Sequence, residues 1–506
     1  MKRPNILFIM CDDHAAAAIS AYGSKVNQTP NIDRLANEGM RLDHCYVTNS
    51  ICTPSRAAII TGTHNHINRV TTLSASIDNR LPNVAKHLRL GGYQTAIYGK
   101  WHLGESERSL PTGFDDWSIL PGQGEYCDPD FINPEGSETV EGYVTDIITD
   151  KCLKWIDKRD SERPFFLMCH HKAPHRNWEP KAEHRSLYND EIPFPETFDD
   201  DYANRASFIA ELEMKVKEDL TYGDLDLVEP TESISGRYYG DKIPYPSDSE
   251  LPNFSLECKL TGEAFTFSTQ EELGRFKYQR YMRKYLQTVH SIDENVGRML
   301  DHLESEGILD DTVVIYTSDQ GFYLGEHGWF DKRLIYEQSF QMPFLVRYPR
   351  EIQAGSVNKD MISNVDFAPT WLDYADCTVP NYMQGRSFRS NLSGATPNDW
   401  TDIAYHRYWM NRDEAHNVAA HYGIRDKRYK IVYWYNESLD EPGACEGDKR
   451  KEWELFDLEK DPLELFNLYE DLDYSKVVDR MQRRLEQHML QIGDIPQHEI
   501  TAYQAM

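Results

Sequence analysis

The residues best suited to nucleophilic chemistry lie in one short segment, Cys52-Thr53-Pro54-Ser55-Arg56. It follows a polar loop and precedes an apolar run, which predicts a helix with Cys52 at its N-terminus. Unpaired backbone N–H groups and the helix dipole favour a developing anion at such an end. Arg56 can point back to the same place and offer a planar set of donors to a tetrahedral oxyanion. The alternative is an unreactive buried cysteine beside a surface arginine, so a nucleophile beside an anion site requires further groups that converge there.

Acidic residues follow two predicted buried strands. Asp12 and Asp13 come after the apolar run 6–10, and Asp319 follows the strand predicted over 311–317. In open α/β sheets, ligands bind at the carboxyl ends of strands. Carboxylate oxygens are the ligands that hard divalent cations prefer. The two strand ends therefore predict a cation site, and a solvated turn is the alternative for Asp12 and Asp13.

Basic residues and histidines also follow strand-like segments. Lys100 and His102 come after the predicted strand 93–98, and His175 lies in a dense polar group after another apolar strand. Lys332 follows the second acidic strand end and could reach back to the same pocket. A lysine supplies a positive charge and a histidine can move a proton near neutral pH. For the pair Lys100 and His102 taken alone, a surface turn is the favoured interpretation.

The elements that must position these residues alternate between apolar strands and amphipathic helices, which predicts an α/β fold. We expect a catalytic α/β domain over 1–385. Within it, the acidic stretch of about 179–274 has weak periodicity, which is typical of an insertion that lies over the domain as a lid, a binding loop or a solvated excursion. Helical periodicity returns over 278–303.

The pattern changes in the C-terminal part of the chain, for which we predict a smaller α+β subdomain over 386–506. The segments 423–434 and 453–458 are typical of antiparallel strands, and 477–492 predicts a final amphipathic helix.

Composition limits the classes of partner. The 506 residues are 40% hydrophobic and carry a net charge of −29. Neutralising nucleic-acid phosphates requires a basic surface, so we expect no nucleic-acid partner. A small anionic substrate remains compatible, because a pocket can be locally basic within an acidic protein.

Cysteine usage and the N-terminus exclude further classes. Nine scattered cysteines without a Cys-x-x-Cys pair predict neither a disulfide framework nor a structural zinc site. The apolar run 5–10 is too short for a signal-peptide core or a membrane span. We therefore expect no membrane association and, for the sequence as written, a cytoplasmic location; a periplasmic or secreted protein that has lost a leader is the alternative.

Acids from two strand ends, lysines from two segments and the arginine of the cysteine loop together resemble the site of type I sulfatases of the alkaline phosphatase superfamily. The resemblance covers nearly the whole chain, and the matching motifs occur in the family's order. They are Asp12-Asp13, Cys52-Thr53-Pro54-Ser55-Arg56, Gly99-Lys100-Trp101-His102-Leu103-Gly104, Ala173-Pro174-His175 and Ser318-Asp319-Gln320-Gly321. The resemblance implies an alkaline phosphatase-like fold: a large, mixed, mostly parallel sheet sandwiched by helices, with a smaller C-terminal antiparallel sheet plus a helix.

The same resemblance implies hydrolysis of a sulfate ester by a covalent route. A formylglycine-generating maturation enzyme would oxidise Cys52 to formylglycine, which is hydrated at rest. One hydroxyl of the hydrate would attack sulfur in line with the leaving alcohol, and the other would then expel sulfate and restore the aldehyde.

A calcium ion is also implied by the resemblance. Asp12, Asp13, Asp319 and Gln320 would bind it together with residue 52, and the ion would polarise a sulfate oxygen. Gln320 departs from the asparagine or histidine often found at its position, although its amide oxygen can still coordinate a metal.

The remaining catalytic roles follow from the matched motifs. Arg56, Lys100 and Lys332 would neutralise charge on the sulfuryl group. His102 is implied as the base for the elimination step, and His175 as the acid for the leaving alcohol.

The substrate is indicated by three further segments, which are similar to bacterial sulfatases of sulfated polysaccharides and especially to N-acetylglucosamine-6-sulfatases. These segments are 122–126, 171–178 and 319–323. Trp178 could stack on a sugar ring. Arg176, Asn177, His406 and His416 could contact hydroxyls or a carboxylate, and a structural role is the alternative for each.

Two other functions are compatible with the motifs. Phosphonate or phosphate diester hydrolases share the cysteine loop, and a carbohydrate-binding protein that never matures Cys52 would share the pocket. The sequence does not determine the sugar, the sulfate position, exo or endo action, or the oligomeric state.

Overall fold

The computed structural model describes residues 3–228 and 245–499. Its strands, in chain order, are β1 (Asn5–Cys11), β2 (Met40–Leu42), β3 (Cys45–Tyr46), β4 (Gln94–Lys100), β5 (Asp116–Leu120), β6 (Asp130–Asn133), β7 (Gly136–Thr139), β8 (Phe165–His170), β9 (Ser255–Glu257), β10 (Ala264–Thr266), β11 (Thr312–Ser318), β12 (Tyr323–Leu324), β13 (Phe330–Asp331), β14 (Phe344–Arg347), β15 (Ser356–Asn358), β16 (Ile362–Ser363), β17 (Ala404–Tyr408), β18 (His421–Arg425), β19 (Tyr429–Trp434) and β20 (Glu452–Asp457). Its α-helices are α1 (Pro30–Asn37), α2 (Cys52–Thr61), α3 (Asn65–Asn68), α4 (Val84–Leu90), α5 (Val144–Lys158), α6 (Ser207–Ala210), α7 (Gln270–Ser305), α8 (Glu337–Phe340), α9 (Phe367–Tyr374), α10 (Arg389–Leu392) and α11 (Ser475–Ile492).

The large sheet has the strand order β15-β2-β14-β11-β1-β8-β4-β5-β6-β7. Its centre, from β11 to β5, is parallel, and β14, β6 and β7 add antiparallel pairs toward the edges. This is the mixed, mostly parallel sheet that the sequence predicted. Its register pairs Cys11 with Ser318 and Met10 with His170, so the polar residues that follow these strands emerge at one edge.

Two hydrophobic layers enclose the sheet, because the central strands are buried on both faces. Alternate residues of β1 belong to different layers: Phe8 packs with α2, α4 and α9, whereas Ile9 packs with α1, α5 and the second half of α7. Helices therefore sandwich the sheet, as predicted.

Helix α7 begins earlier than its periodicity predicted. The Thr269 side chain accepts a hydrogen bond from the Glu272 backbone N–H at 3.2 Å, and Glu272 in turn accepts from the Ser268 N–H at 2.8 Å. These bonds satisfy donors at the helix start and fix its first turn. The helix thus includes residues 270–274, which the sequence analysis had assigned to the insertion.

The rest of the predicted insertion is largely irregular in its described parts, with α6, β9 and β10 as short elements. Residues 229–244 of that prediction lie outside the described residues. The described parts form much of the wall of the large cavity considered below.

A second, antiparallel sheet has the order β17-β18-β19-β20 and packs against α11. The strands predicted within 423–434 and 453–458 correspond to β18, β19 and β20, and the predicted final helix to α11. Strand β17 was not predicted. The division of the chain at residue 385 stays a prediction.

None of the helices in the described ranges has both the length and the apolar composition that a bilayer crossing requires.

Candidate active site

Parallel strands deliver the predicted acids to one place. The Asp319 backbone N–H donates to the Cys11 carbonyl at 3.1 Å, and the Asp13 N–H donates to Asp319 Oδ1 at 3.2 Å. The two acidic segments are adjacent because β1 and β11 are hydrogen-bonded neighbours in register. The predicted convergence of the two strand ends is therefore present in the structure.

Three buried ion pairs form the centre of the site, and each joins one carboxylate to one cation. The pairs are Asp12 with Lys100, Asp13 with Lys332 at 2.5 Å, and Asp319 with Arg56, whose Nε and Nη2 donate at 3.0 and 2.8 Å. All six side chains are almost inaccessible to solvent. Charges so deeply buried are tolerated only when they are paired, and here acids and cations match one to one.

Several buried oxygens in this centre have no hydrogen-bond partner among the described residues. They are Asp12 Oδ1, Asp13 Oδ2 and Gln320 Oε1. Carboxylate oxygens of Asp12, Asp13 and Asp319 lie within 4.8 Å of one another. Leaving such atoms unpaired in the interior is costly, whereas a hard cation with oxygen ligands would satisfy them. The donor set therefore fits a calcium ion, and the position of Gln320 fits the predicted amide ligand, since its Nε2 donates to Asp13 and leaves Oε1 available.

Cys52 is the first residue of α2, as the sequence predicted. Its Sγ, an Asp12 carboxylate oxygen and a His175 ring nitrogen all lie within 4.8 Å of one another. Burial raises the pKa of the Cys52 thiol to about 12. The thiol is thus held protonated at neutral pH, although it lies beside the cations of the centre.

The other residues of the cysteine loop anchor α2 to the sheet. The Ser55 hydroxyl donates to the Asp319 carbonyl and accepts from Asn364 Nδ2 at 3.1 Å. Arg56 Nη1 donates to the Lys100 carbonyl at 2.8 Å. Ser55 and Arg56 therefore hold the helix N-terminus against the strand ends that carry the acids and the lysine.

The two predicted catalytic histidines border this centre. His102 Nδ1 lies 3.4 Å from Thr53 Oγ1, and His175 Nε2 lies 3.7 Å from Asp13 Oδ2. Burial, reinforced by Lys100, holds the pKa of both rings well below the usual histidine range. Both are therefore neutral at physiological pH, which favours proton acceptance over proton donation in this state.

A cavity of 770 Å³ opens beside His175 and contains several of the predicted substrate residues. Arg176 and Asn177 line it, and Asn177 Oδ1 has no hydrogen-bond partner among the described residues. His416 Nε2 lies 3.4 Å from Arg176 Nη2 and 3.2 Å from Asp331 Oδ2. The structure thus brings Arg176, Asn177 and His416 together near the buried centre.

Trp178 lines the same cavity but exposes little of its ring there. Its ring is 2% exposed and packs on Tyr281 with ring centroids 4.8 Å apart, and its Nε1 donates to the Pro174 carbonyl at 2.6 Å. Little of its surface can reach a ligand, so the position supports the structural alternative.

His406 also lies away from the cavity. It is fully buried, stacks on His421, and its Nε2 accepts from the Ser50 backbone N–H at 3.1 Å. This contact orients the loop before Cys52. In this conformation His406 cannot contact a substrate hydroxyl.

The sequence analysis missed three polar residues of the site. Gln123 accepts from the Lys100 ammonium, and Asp331 pairs with Arg333 and His416. Lys172 is 3% exposed and lies over the Tyr126 ring at 4.8 Å; burial lowers its pKa to about 8. Lys172 follows a buried strand, so the rule that identified Lys100 would also have found it.

Comparisons with known proteins agree with this geometry. The family model "Sulfatase" matches residues 4–377, and the model "N-sulphoglucosamine sulphohydrolase, C-terminal" matches residues 325–491. An N-acetylglucosamine-6-O-sulfatase of Bacteroides thetaiotaomicron is 43% identical, over 97% of this chain and 87% of its own length. An arylsulfatase of Clostridium perfringens is 24% identical, over 96% of this chain and 94% of its own.

Solved structures give the same result. A protein in complex with its substrate D-glucosamine-2-N,6-O-disulfate superposes with a TM-score of 0.85 at 40% identity, covering 97% of this chain and 98% of its own. The phosphonate monoester hydrolase of Agrobacterium radiobacter superposes with a TM-score of 0.68 at 21% identity, covering 97% of this chain and 96% of its own, which shows a shared fold.

Proposed function

The chain belongs to the sulfatase family and is a sulfuric ester hydrolase, and we propose that it removes the 6-O-sulfate from a sulfated glucosamine residue of a carbohydrate. The observation that carries the substrate class is the 43% identity, over 97% of this chain, to an N-acetylglucosamine-6-O-sulfatase. The solved relative that binds D-glucosamine-2-N,6-O-disulfate supports the same class. The polar cavity beside His175, whose ring lies within 4.8 Å of Cys52 Sγ, provides the space for the sugar.

Cys52 is, in this proposal, the precursor of the nucleophile. Its place at the N-terminus of α2, within 4.8 Å of Asp12 and His175, suits a group on which negative charge develops. Once formed by a maturation enzyme, formylglycine would supply a hydrate hydroxyl as nucleophile, and a bound calcium ion would supply positive charge beside the sulfate. Asp12, Asp13, Asp319 and Gln320 would hold that ion. Carboxylate oxygens of the three aspartates lie within 4.8 Å of one another, and Asp12, Asp13 and Gln320 each have an oxygen without a donor among the described residues.

The cations of this chain would stabilise the sulfuryl group. Lys100 and Lys332 contact the same carboxylates that surround Cys52, so their ammonium groups border the space in which a sulfate beside residue 52 would lie. Arg56 adds a third positive charge: it pairs with Asp319, and its Nη2 lies 3.9 Å from Asp12 Oδ1. In a site closed to water, these charges stabilise a developing negative charge more strongly than they would in solution.

Proton transfer is assigned to His102 and His175. Because burial holds the pKa of His102 well below the usual range, its ring is unprotonated at neutral pH and has a nitrogen lone pair that can accept a proton. Donation by His175 to the leaving alcohol requires that ring to be protonated first. A bound sulfate anion would raise the pKa of His175 and so favour the protonated form.

Sugar recognition is assigned to the polar groups at the inner end of the cavity. Arg176 lies 3.8 Å from Asp331 and 3.9 Å from Asp224, and His416 contacts both Arg176 and Asp331. Buried polar groups of this kind discriminate strongly, because an analogue that lacks the matching hydroxyl leaves them unpaired.

The proposal is tested with protein coexpressed with a formylglycine-generating enzyme. We expect mass spectrometry to show conversion of Cys52, and sulfate release from N-acetylglucosamine 6-sulfate to exceed release from its 3-sulfate isomer. The Cys52→Ala variant should keep the circular dichroism spectrum and lose turnover. Faster cleavage of a phosphate diester than of any sulfate ester, or turnover by Cys52→Ala, would contradict the proposal.

A further inference from the structure

One face of α7 presents cations to the outer part of the cavity. Arg280, Arg283 and Lys284 are spaced three and four residues apart, which puts them on one side of the helix, and all three line the cavity. We refer to these three residues as the α7 wall. They stand out in a protein whose net charge is −29.

The α7 wall is only partly neutralised. Asp226 is the carboxylate that pairs with it, at 3.7 Å from Arg280 Nη2 and 3.4 Å from Lys284 Nζ. Arg283 donates to the carbonyls of Tyr188 and Asn189, at 2.8 and 3.3 Å, and pairs with no carboxylate among the described residues. Within the described part of the chain, Arg280 and Lys284 thus share one carboxylate and Arg283 has none.

Two more cations extend this positive surface. Arg185 and Lys259 also line the cavity, are exposed, and make no ion pair within the described ranges. The acids of the cavity come mainly from other segments, 125–130 and Glu179. The cations are therefore concentrated on one part of the wall, where they attract anions despite the acidic surroundings.

The α7 wall lines the same cavity as Arg176, which is assigned to the sulfated sugar. Arg176 approaches Asp224, and two residues further along the chain Asp226 pairs with Lys284. Two residues span at most roughly 7 Å of backbone. The α7 wall therefore lies close to Arg176 along the cavity, and an oligosaccharide with its sulfated sugar at Arg176 would bring a neighbouring sugar to the α7 wall.

We propose that the α7 wall is a second anion subsite, which binds a carboxylate or a sulfate on the sugar next to the one that loses its 6-sulfate. This deepens the proposed function and rests on it. Arginine and lysine in a partly desolvated wall bind such groups through charge-assisted hydrogen bonds. The enzyme would then prefer acidic oligosaccharides over a single sulfated sugar.

The test compares four substrates that share one 6-sulfated N-acetylglucosamine: the free monosaccharide and three disaccharides in which it is joined to a uronate, a sulfated neutral hexose or a neutral hexose. We expect wild type to have a lower KM for at least one acidic disaccharide than for the neutral disaccharide. The acidic disaccharide with the lower KM shows whether the α7 wall binds a carboxylate or a sulfate. Arg283→Gln should reduce kcat/KM for that substrate about tenfold through KM, with kcat and the other substrates little changed. Arg283→Lys, which keeps the charge, should lose less.

Controls separate binding from a structural role. Arg298→Gln removes a cation of α7 that pairs with Asp150 outside the cavity. This variant should leave kcat/KM unchanged for all four substrates. Added salt should raise KM only for the acidic substrates. If Arg283→Gln does not fold, Lys259→Gln, at an exposed position, replaces it in the comparison.

Three outcomes are distinguishable. Equal losses on all four substrates would show that Arg283 only holds the 188–189 loop, and would overturn the proposal. Equal KM values of wild type for neutral and acidic disaccharides would overturn it as well. Release of no 6-sulfate from any of the four by the matured enzyme would instead overturn the proposed function.

Discussion

The Asp319–Arg56 pair offers the sharpest test of how the buried centre is held together. Asp319→Asn removes the carboxylate that accepts hydrogen bonds from Arg56 Nε and Nη2 at 3.0 and 2.8 Å. The Arg56 charge would stay buried at 3% exposure. Its next carboxylate is Asp12, 3.9 Å away and already paired with Lys100.

The expected cost is large because a buried charge loses its partner. Removing one member of a buried ion pair costs about 3–5 kcal/mol. Two unit charges 4 Å apart at an effective dielectric constant of about 20 interact by about 4 kcal/mol, which agrees with that range. We therefore expect Asp319→Asn to lower the free energy of unfolding by about 3–5 kcal/mol, measured by urea unfolding with tryptophan fluorescence in calcium-free buffer.

Asp293→Asn is the matched control. Asp293 is also buried, but it accepts backbone N–H groups of Asn31 and Ile32 at the start of α1 instead of pairing with a cation. Asparagine serves there about as well as aspartate, so the expected cost is below about 1 kcal/mol. If Asp319→Asn costs no more than Asp293→Asn, the reasoning about the buried pair is refuted.

Three further predictions concern the pH dependence, the metal and the core. Burial raises the pKa of Glu454 to about 7, so its protonated form stabilises the fold at low pH, and that contribution disappears as the pH rises from about 4.5 through 7. Between those two pH values, the free energy of unfolding of wild type should fall by about 3 kcal/mol relative to that of Glu454→Gln, measured by urea unfolding. Parallel pH profiles of the two proteins would contradict this. Calcium at about 100 times its dissociation constant should raise the free energy of unfolding of wild type by about 2.7 kcal/mol, measured by calorimetry, and should not stabilise Asp12→Asn. Equal stabilisation of both proteins would place the ion elsewhere. Trp178→Phe loses the hydrogen bond to the Pro174 carbonyl and should cost about 1 kcal/mol of stability with little change in KM, whereas a raised KM at unchanged stability would restore the stacking interpretation.

Much of the fold followed from local pattern. Apolar runs such as 6–10 and 311–317 predicted buried strands, and the residues directly after them were correctly expected at one edge of a sheet. Local pattern also predicted the smaller antiparallel sheet and the final helix, whereas the mixed, mostly parallel sheet between helices was implied by the resemblance to sulfatases. Strand β17 was not predicted. The start of α7 was placed too late, because the hydrogen bonds that cap this helix are made by residues outside its apolar repeat.

The local positions of the residues in and around the cysteine loop could likewise be predicted from the sequence. Cys52 at a helix start, Arg56 one turn later and adjacent acids at a strand end are short-range features, so spacing alone could predict them. Membership of the sulfatase family follows from the same motifs in the same order.

Only the tertiary structure decided which charge faces which. Asp12 pairs with Lys100, and Asp13 with Lys332 across 319 positions of the chain, because the order and register of the strands bring those ends together. Tertiary packing also buried most of the Trp178 ring against Tyr281 and placed the α7 wall along the cavity. Sequence periodicity predicts which face of a helix is buried. What covers that face, and which residue pairs with a charged side chain, depends on segments that are distant in the chain.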